Sequence, residues 1–162
     1  VGLKAGMQIA DFGSGSGEIA VSLAVIAGPQ GRVVALDVLP SAIEAVQARA
    51  KQKQIETLTA IRADLEVAGG STLGDTSQDM VFMANILWQS QKKAEIIAEA
   101  CRILKPEGMI VAVEWSDDAK LGPPPATRIS EGDLKKIFEN ASLKSIHTVP
   151  AGAYHYGLLA KK

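Results

Sequence analysis

The chain has 162 residues, 47% of them hydrophobic and 22% charged, with 17 Lys and Arg against 18 Asp and Glu for a formal net charge of -1. A chain of this size builds one sizeable core and buries roughly two-thirds of its unfolded surface, and the composition excludes intrinsic disorder. The near-zero charge supplies no global field that would draw in a polyanion such as RNA.

Residues 7–12 are a short apolar run that ends in glycines, and residues 18–27 carry apolar side chains at helical spacing, so the chain opens as strand, glycine turn and helix. That apolar helix is well short of the ~20 residues needed to cross a bilayer, and Ser22 interrupts it. Gly28-Pro29-Gln30-Gly31 breaks it, and the β-branched run 32–37 reads as a buried second strand. Ser41, with Glu44 three residues later, forms a capping box for the next helix. Residues 58–62 make a third strand closing at Asp64, residues 66–78 a polar loop, and residues 79–84 a fourth strand.

Residues 92–104 place Ile96, Ile97, Ala100, Ile103 and Leu104 on one helical stripe, and Lys105-Pro106-Glu107-Gly108 stops this helix before a fifth strand over 109–114. Cys101, the sole cysteine, lies in the same helix and reads as a small core hydrophobe; a lone thiol suits a reducing compartment, and the expected location is the cytoplasm. After Pro123-Pro124-Pro125, Ser130 caps a last helix with Asp133 at its third position. Strands over 143–149 and 156–160 follow across a short link and pair antiparallel. The alternation predicts an α/β fold: a mostly parallel seven-stranded sheet whose last strand is antiparallel, with helices on both faces, in a single domain over 1–162. Val1 in place of Met leaves room for upstream residues that could include a lid.

The first turn reads Asp11-Phe12-Gly13-Ser14-Gly15-Ser16-Gly17. A strand-to-helix turn without β-carbons lets a ligand approach the backbone, and the helix N-terminus offers free N–H groups to negative charge. The spacing is G-x-G-x-G, with Glu18 where the dinucleotide fingerprint needs glycine or alanine, which disfavours NAD and FAD; the Gly-Lys-Ser/Thr of a Walker loop is missing. Asp11 is a poor neighbour for a pyrophosphate and a good one for an ammonium group. Asp37 ends the second strand, where a carboxylate can accept from both ribose hydroxyls.

These residues resemble the class I, UbiE/COQ5-like S-adenosylmethionine (SAM) dependent methyltransferases, whose D-x-G-x-G-x-G motif matches Asp11 to Gly17. The likeness extends over nearly the whole chain, including Leu104-Lys105-Pro106-Glu107-Gly108, where the family has L-K-P-G-G. It implies a Rossmann-like class I methyltransferase fold and SAM as cofactor. It also implies a cofactor site made of Asp11, Gly13, Ser14, Gly15 and Gly17, of Asp37 at the ribose with Val38 next to it, of Asp64 with the Leu65 backbone at the adenine amine, and of Asn85 at the methionine part.

Methyl transfer from a sulfonium is an in-line displacement, so the protein chiefly aligns the acceptor and excludes water, and no catalytic residue is assigned. His155 and Asp117 are the candidates for a base, with Asp118 and Glu114 nearby; for His155, between Tyr154 and Tyr156, a packing role is the more expected one. Trp88 and Trp115 lie at carboxyl ends of strands, placed either to stack on a flat ligand or to pack. Residues 115–129 read as a substrate loop whose Arg128 could pair with an acidic acceptor. The D/N-P-P-Y/F sequence of adenine and glutamine methyltransferases is missing after Asn85, and no Cys/His cluster has metal spacing. The expected function is methyl transfer from SAM to a small organic acceptor. RNA or protein acceptors, a nucleotide-binding oxidoreductase and a SAM-binding module without turnover are the alternatives.

Overall fold

The structure, a computed structural model, describes residues 2–162. In chain order it contains β1 (Gln8–Phe12), α1 (Glu18–Ala27), β2 (Arg32–Asp37), α2 (Pro40–Gln52), β3 (Leu58–Arg62), β4 (Gln78–Ala84), α3 (Lys93–Ile103), β5 (Leu104–Trp115), α4 (Glu131–Asn140), β6 (Lys144–Pro150) and β7 (His155–Lys161). The strands form one seven-stranded sheet in the order β3-β2-β1-β4-β5-β7-β6. All neighbours pair parallel except β7, which is antiparallel to both β5 and β6. The architecture is therefore the Rossmann-like one expected, with the last strand reversed.

Strand alternation divides the core between two faces. Ile9, Val33, Ala35, Met80 and Val111 turn towards Ala20, Leu23 and Val46 of α1 and α2. Ala10, Phe12, Leu36, Val81, Met83, Ile110 and Ala112 turn towards Ile97 and Ile103 of α3 and Leu134 and Phe138 of α4. The chain leaves β1 for β2 and β3 on one side and returns to β4 and β5 on the other, so the crossover direction reverses between β1 and β4. The carboxyl ends of strands at such a reversal leave a crevice between diverging connections, the usual place for a ligand in an open α/β sheet.

Two local expectations are corrected. Helix α2 begins at Pro40, with Leu39 as its N-cap and no side-chain capping bond. The fixed φ of proline sets the first turn, so Ser41 lies inside the helix and the Ser41–Glu44 capping box does not form. The four residues 105–108 belong to β5 as an irregularity: Gln78 pairs with Leu104 and Met80 with Met109, so one residue of β4 faces four of β5. Glu107 at this bulge has φ +63°, where the resembling family has glycine. The Ser130 cap forms as expected, its Oγ accepting from Asp133 N at 3.1 Å.

The β3–β4 connection is more ordered than its composition suggests, because it folds onto Glu99 of α3. The Glu99 carboxylate accepts from Gly69 N (2.9 Å), Ser71 N (3.0 Å) and Ser71 Oγ (2.5 Å). Arg102 closes the group by donating to both Glu99 oxygens, at 2.9 and 2.8 Å, to Leu73 O and to the Asp75 carboxylate.

Glu107 and Glu99 each support a test. A left-handed conformation is costly for any residue with a β-carbon, and its ion pair with Lys161, at 3.7 Å between exposed groups, contributes little. Glu107→Gly is expected to stabilise the fold by about 0.5–1 kcal/mol, read as a rise in Tm of about 2 °C. Glu99 gives the second. Hydrogen bonds from Arg102, then from Ser71 and Gly69, hold its carboxyl at about 2 against the ordinary 4.5. A depressed folded value stabilises the protein above pH 4.5, and the contribution is lost as the pH falls towards 2. Glu99→Gln is expected to cost about 2 kcal/mol at neutral pH and to flatten that acid limb in urea titrations across the same range.

Candidate functional site

β1 ends between β2 and β4, and its exit turn uses Gly13, Gly15 and Gly17 at φ +72°, +49° and +82°. At Gly13 and Gly17 space excludes a side chain as firmly as backbone conformation does, whereas Gly15 faces open space. A β-carbon on Gly13 would stand 2.1 Å from Cγ2 of Ile86, and one on Gly17 would stand 2.9 Å from Cγ2 of Val46 in α2. The turn is fastened to the end of β2: Gly13 N and Ser14 N both donate to Leu36 O, at 2.7 and 3.1 Å. Asp37 completes the attachment, Oδ2 accepting from Gly15 N at 2.9 Å and Oδ1 from Leu39 N at 3.0 Å.

Above this edge lies a cavity of about 640 Å³, within the usual range for a small-molecule site. Seven of the ten residues expected at a cofactor line it: Gly13, Gly15, Asp37, Val38, Asp64, Leu65 and Asn85. Val38 and Leu39 are 53% and 58% exposed, so the mouth offers an apolar surface that the fold itself leaves uncovered. The wall also contains Glu66 and Ser90, which sequence reasoning missed. Ser90 Oγ donates to Glu66 Oε1 at 2.6 Å and accepts from Lys92 N at 2.8 Å, tying the segment after β3 to the one after β4. Only their position just beyond two strand ends could have drawn attention to them.

The other three expected residues, Asp11, Ser14 and Gly17, do not reach the cavity wall. Gly17 packs on α2. Asp11 and Ser14 lie beneath the turn, 2% and 8% exposed, and Asp11 Oδ2 and Ser14 Oγ have no protein partner. Burial first, and the neighbouring Asp37 carboxylate second, push the Asp11 carboxyl up from 3.8 to about 7.

Asn85 follows β4 at φ +58°, a conformation that asparagine tolerates better than most residues. Its N–H donates to Val113 O at 2.8 Å, and Gln89 Nε2 donates to its carbonyl at 2.7 Å. Glu114, fully buried, holds the next step by accepting from Leu87 N at 2.7 Å; burial pushes its carboxyl up to about 7. The Asn85 amide lies with Nδ2 3.2 Å from His155 Nε2. In that orientation the ring nitrogen accepts, which puts the imidazole proton on Nδ1. Burial lowers the His155 pKa from its ordinary 6.5, which favours the neutral ring.

The structure does not bring the candidate bases to the cavity. His155 stands behind Asn85, the first residue of β7 and not merely ahead of it, and Asp117 is exposed outside the wall. Glu114 is sealed beneath the post-β4 turn, with Oε1 held by Leu87 N and Oε2 buried without a partner. Trp115 is committed to packing: its ring lies 4.1 Å from that of His155, and a β-carbon on Gly122 would stand 2.6 Å from it. Trp88 is half-buried away from the cavity wall. Arg128 is not free for an acidic acceptor either. Its guanidinium donates to the carbonyls of Ser116, Asp117, Ala119, Leu121 and Pro123, at 2.6–3.2 Å, and gathers the 116–128 loop around itself.

Among the described residues no group of three His, Cys, Asp or Glu could hold a metal ion, and no helix is long and apolar enough to cross a membrane.

A family model described as a methyltransferase domain matches residues 3–150. The ubiquinone/menaquinone biosynthesis C-methyltransferase UbiE of Francisella philomiragia is 27% identical over 116 residues, covering 71% of this chain and 45% of that protein. An arsenite methyltransferase of Halobacterium salinarum is 22% identical over 156 residues, covering 90% of this chain and 39% of its own length. The chain thus spans less than half the length of these curated relatives. A SAM-dependent methyltransferase from Aquifex aeolicus superposes with a TM-score of 0.90 at 25% identity, over 99% of this chain and 84% of that one. With the strand order, the glycine turn and the match over residues 3–150 in agreement, the chain belongs to the methyltransferase-domain family, in its class I, UbiE-like, SAM-dependent branch.

Proposed function

We propose that this chain transfers a methyl group from SAM to a small organic acceptor. The observation that carries this is Asp11. A carboxylate buried without a partner is costly unless a cation meets it, and here it lies under a turn whose missing β-carbons let a ligand come close. The ammonium group of SAM supplies that cation. Asp37, with two lone pairs already taken by Gly15 and Leu39, keeps others for the ribose hydroxyls. Val38 and Leu39 offer an apolar surface to the purine, Asp64 and the Leu65 backbone take its amine, and Ser14 and Asn85 face the methionine part. The bound sulfonium supplies an electrophilic methyl carbon; the chain's own residues orient it and keep water away. None of the candidate bases His155, Asp117 and Glu114 lines the cavity, which supports a reaction carried by alignment, with His155 acting only through Asn85.

The activities of the relatives, a C-methyltransferase of quinone biosynthesis and an arsenite methyltransferase, favour a small acceptor over a macromolecule. The balanced charge points the same way. The single cysteine is free, in keeping with a reducing compartment, and we assign the chain to the cytoplasm.

Asp37→Ala is expected to weaken SAM binding by about tenfold to a hundredfold in calorimetric titration, at about 1.5 kcal/mol for each charge-assisted bond lost. Unchanged affinity would place the ribose elsewhere, and tight NADH binding with no response to SAM would overturn the whole reading. Asp11 predicts a pH dependence. Below about 7 its carboxyl is protonated in the free protein and must release that proton to meet an ammonium group. SAM affinity is therefore expected to fall by up to about tenfold per pH unit below 7 and to level off above it. Asp11→Asn should abolish the slope and weaken binding while raising the Tm of the free protein at pH 8, since a raised folded value destabilises the fold as the pH rises through it.

A further inference from the structure

Asp11 Oδ2, Ser14 Oγ and Asn85 Oδ1 are all buried without a protein partner. The pairing of β1 with β4, Phe12 opposite Met83, brings the segment 11–14 beside the segment 84–86. Nearly all buried polar atoms in a native fold are paired, so three unpaired ones in so small a region mark a subsite built for something polar. Yet neither Asp11 nor Ser14 reaches the cavity surface, which along these segments consists of Gly13, Ala84, Asn85 and Ile86.

The cover is Ile86. Its Cγ2 stands 2.1 Å from where a Gly13 β-carbon would be, so its side chain rests directly on the Gly13 α-carbon. The backbone around it is held on both sides, by Asn85 N to Val113 O and by Leu87 N to Glu114. The side chain is therefore the part that can move while its anchors stay in place. It is apolar and half-buried, and it lies on Gly13, between Asp11 and Ser14 in the chain, where it lines the cavity beside Asn85.

Resting on the SAM reading above, we propose that Ile86 is a gate over the amino-acid end of the cavity and a specificity-determining residue of the site. Its side chain leaves Gly13 when a ligand carries amino and carboxylate groups to Asp11, Ser14 and Asn85. A nucleoside without those groups occupies the ribose and purine end and leaves the gate shut. Lifting the gate removes an apolar contact, and only a ligand that satisfies the polar atoms offsets that loss. Ligands with an α-amino acid thus bear a cost that simple nucleosides do not.

The test compares S-adenosylhomocysteine with methylthioadenosine, which share the thioether and nucleoside and differ in the amino-acid portion. Calorimetric affinities are measured for the wild type, Ile86→Ala and Ile86→Phe. If the competent state is a minor fraction, Ile86→Ala should tighten S-adenosylhomocysteine about three- to tenfold and leave methylthioadenosine within about twofold. Ile86→Phe should weaken S-adenosylhomocysteine about tenfold, again with little change for methylthioadenosine. Retained methylthioadenosine binding also shows that each variant is folded. If Ile86→Ala shifts both ligands alike, or weakens S-adenosylhomocysteine, Ile86 is ordinary wall and the gate is refuted while the cofactor reading stands. If neither ligand binds the wild type, both fall together.

Discussion

The carboxylate of Asp37 accepts from two backbone N–H groups that belong to different connections, Gly15 after β1 and Leu39 after β2. Between Gly13 and Gly17 the turn has only the small side chains of Ser14 and Ser16 with which to pack, and glycine loses more conformational entropy on ordering than any other residue, so something outside the turn must fix it. Asp37, together with the Leu36 carbonyl that accepts from Gly13 and Ser14, does this. The ends of β1 and β2 become a single rigid edge, and a wall of the cavity is set before any ligand arrives. The same carboxylate adds its charge to the burial that already opposes ionisation of Asp11.

Two acids close together with one of them sealed from water are a poor arrangement for a protein that has only its own stability to satisfy. Asp37 is relieved by backbone donors, whereas Asp11 is relieved by nothing in the chain. Such local conflict is common at binding sites, where the rest of the fold tolerates it. Here the two hydrophobic clusters on either face of the sheet hold β1 and β4 in register, and that register sets Asp11, Gly13 and Ile86 against one another.

The readable parts of the chain were those in which a local pattern decides the outcome. The succession of strands and helices along the chain followed from apolar runs separated by breakers, and Asp37 and Asp64 could be placed because each closes a run. Ser41 misled because a neighbouring proline fixes the first helical turn before any side chain can cap it. Glu99 gave no signal in an amphipathic helix, because its partners Gly69 and Ser71 lie 28–30 residues away in sequence. The same holds for Arg128, whose isolated positive charge looked available for a ligand. Nothing local reveals that the chain curls back to surround it with carbonyls. The cover of Ile86 over Gly13 depends on side-chain volume across two parallel strands, which no one-dimensional pattern encodes.

The Arg128 clamp has a consequence for how such a protein can diversify. All five groups that its guanidinium holds are backbone carbonyls, so the loop from Ser116 to Pro123 is recognised without reference to the identity of its side chains. Residues 117–121 can therefore vary while the loop keeps its path, provided the arginine remains. The exposed Leu121 at its outer turn is one such position, 59% exposed and bound to Arg128 only through its carbonyl. The scaffold thus carries a replaceable cassette beside its sheet edge, and evolution or an engineer can rewrite that surface without refolding the protein.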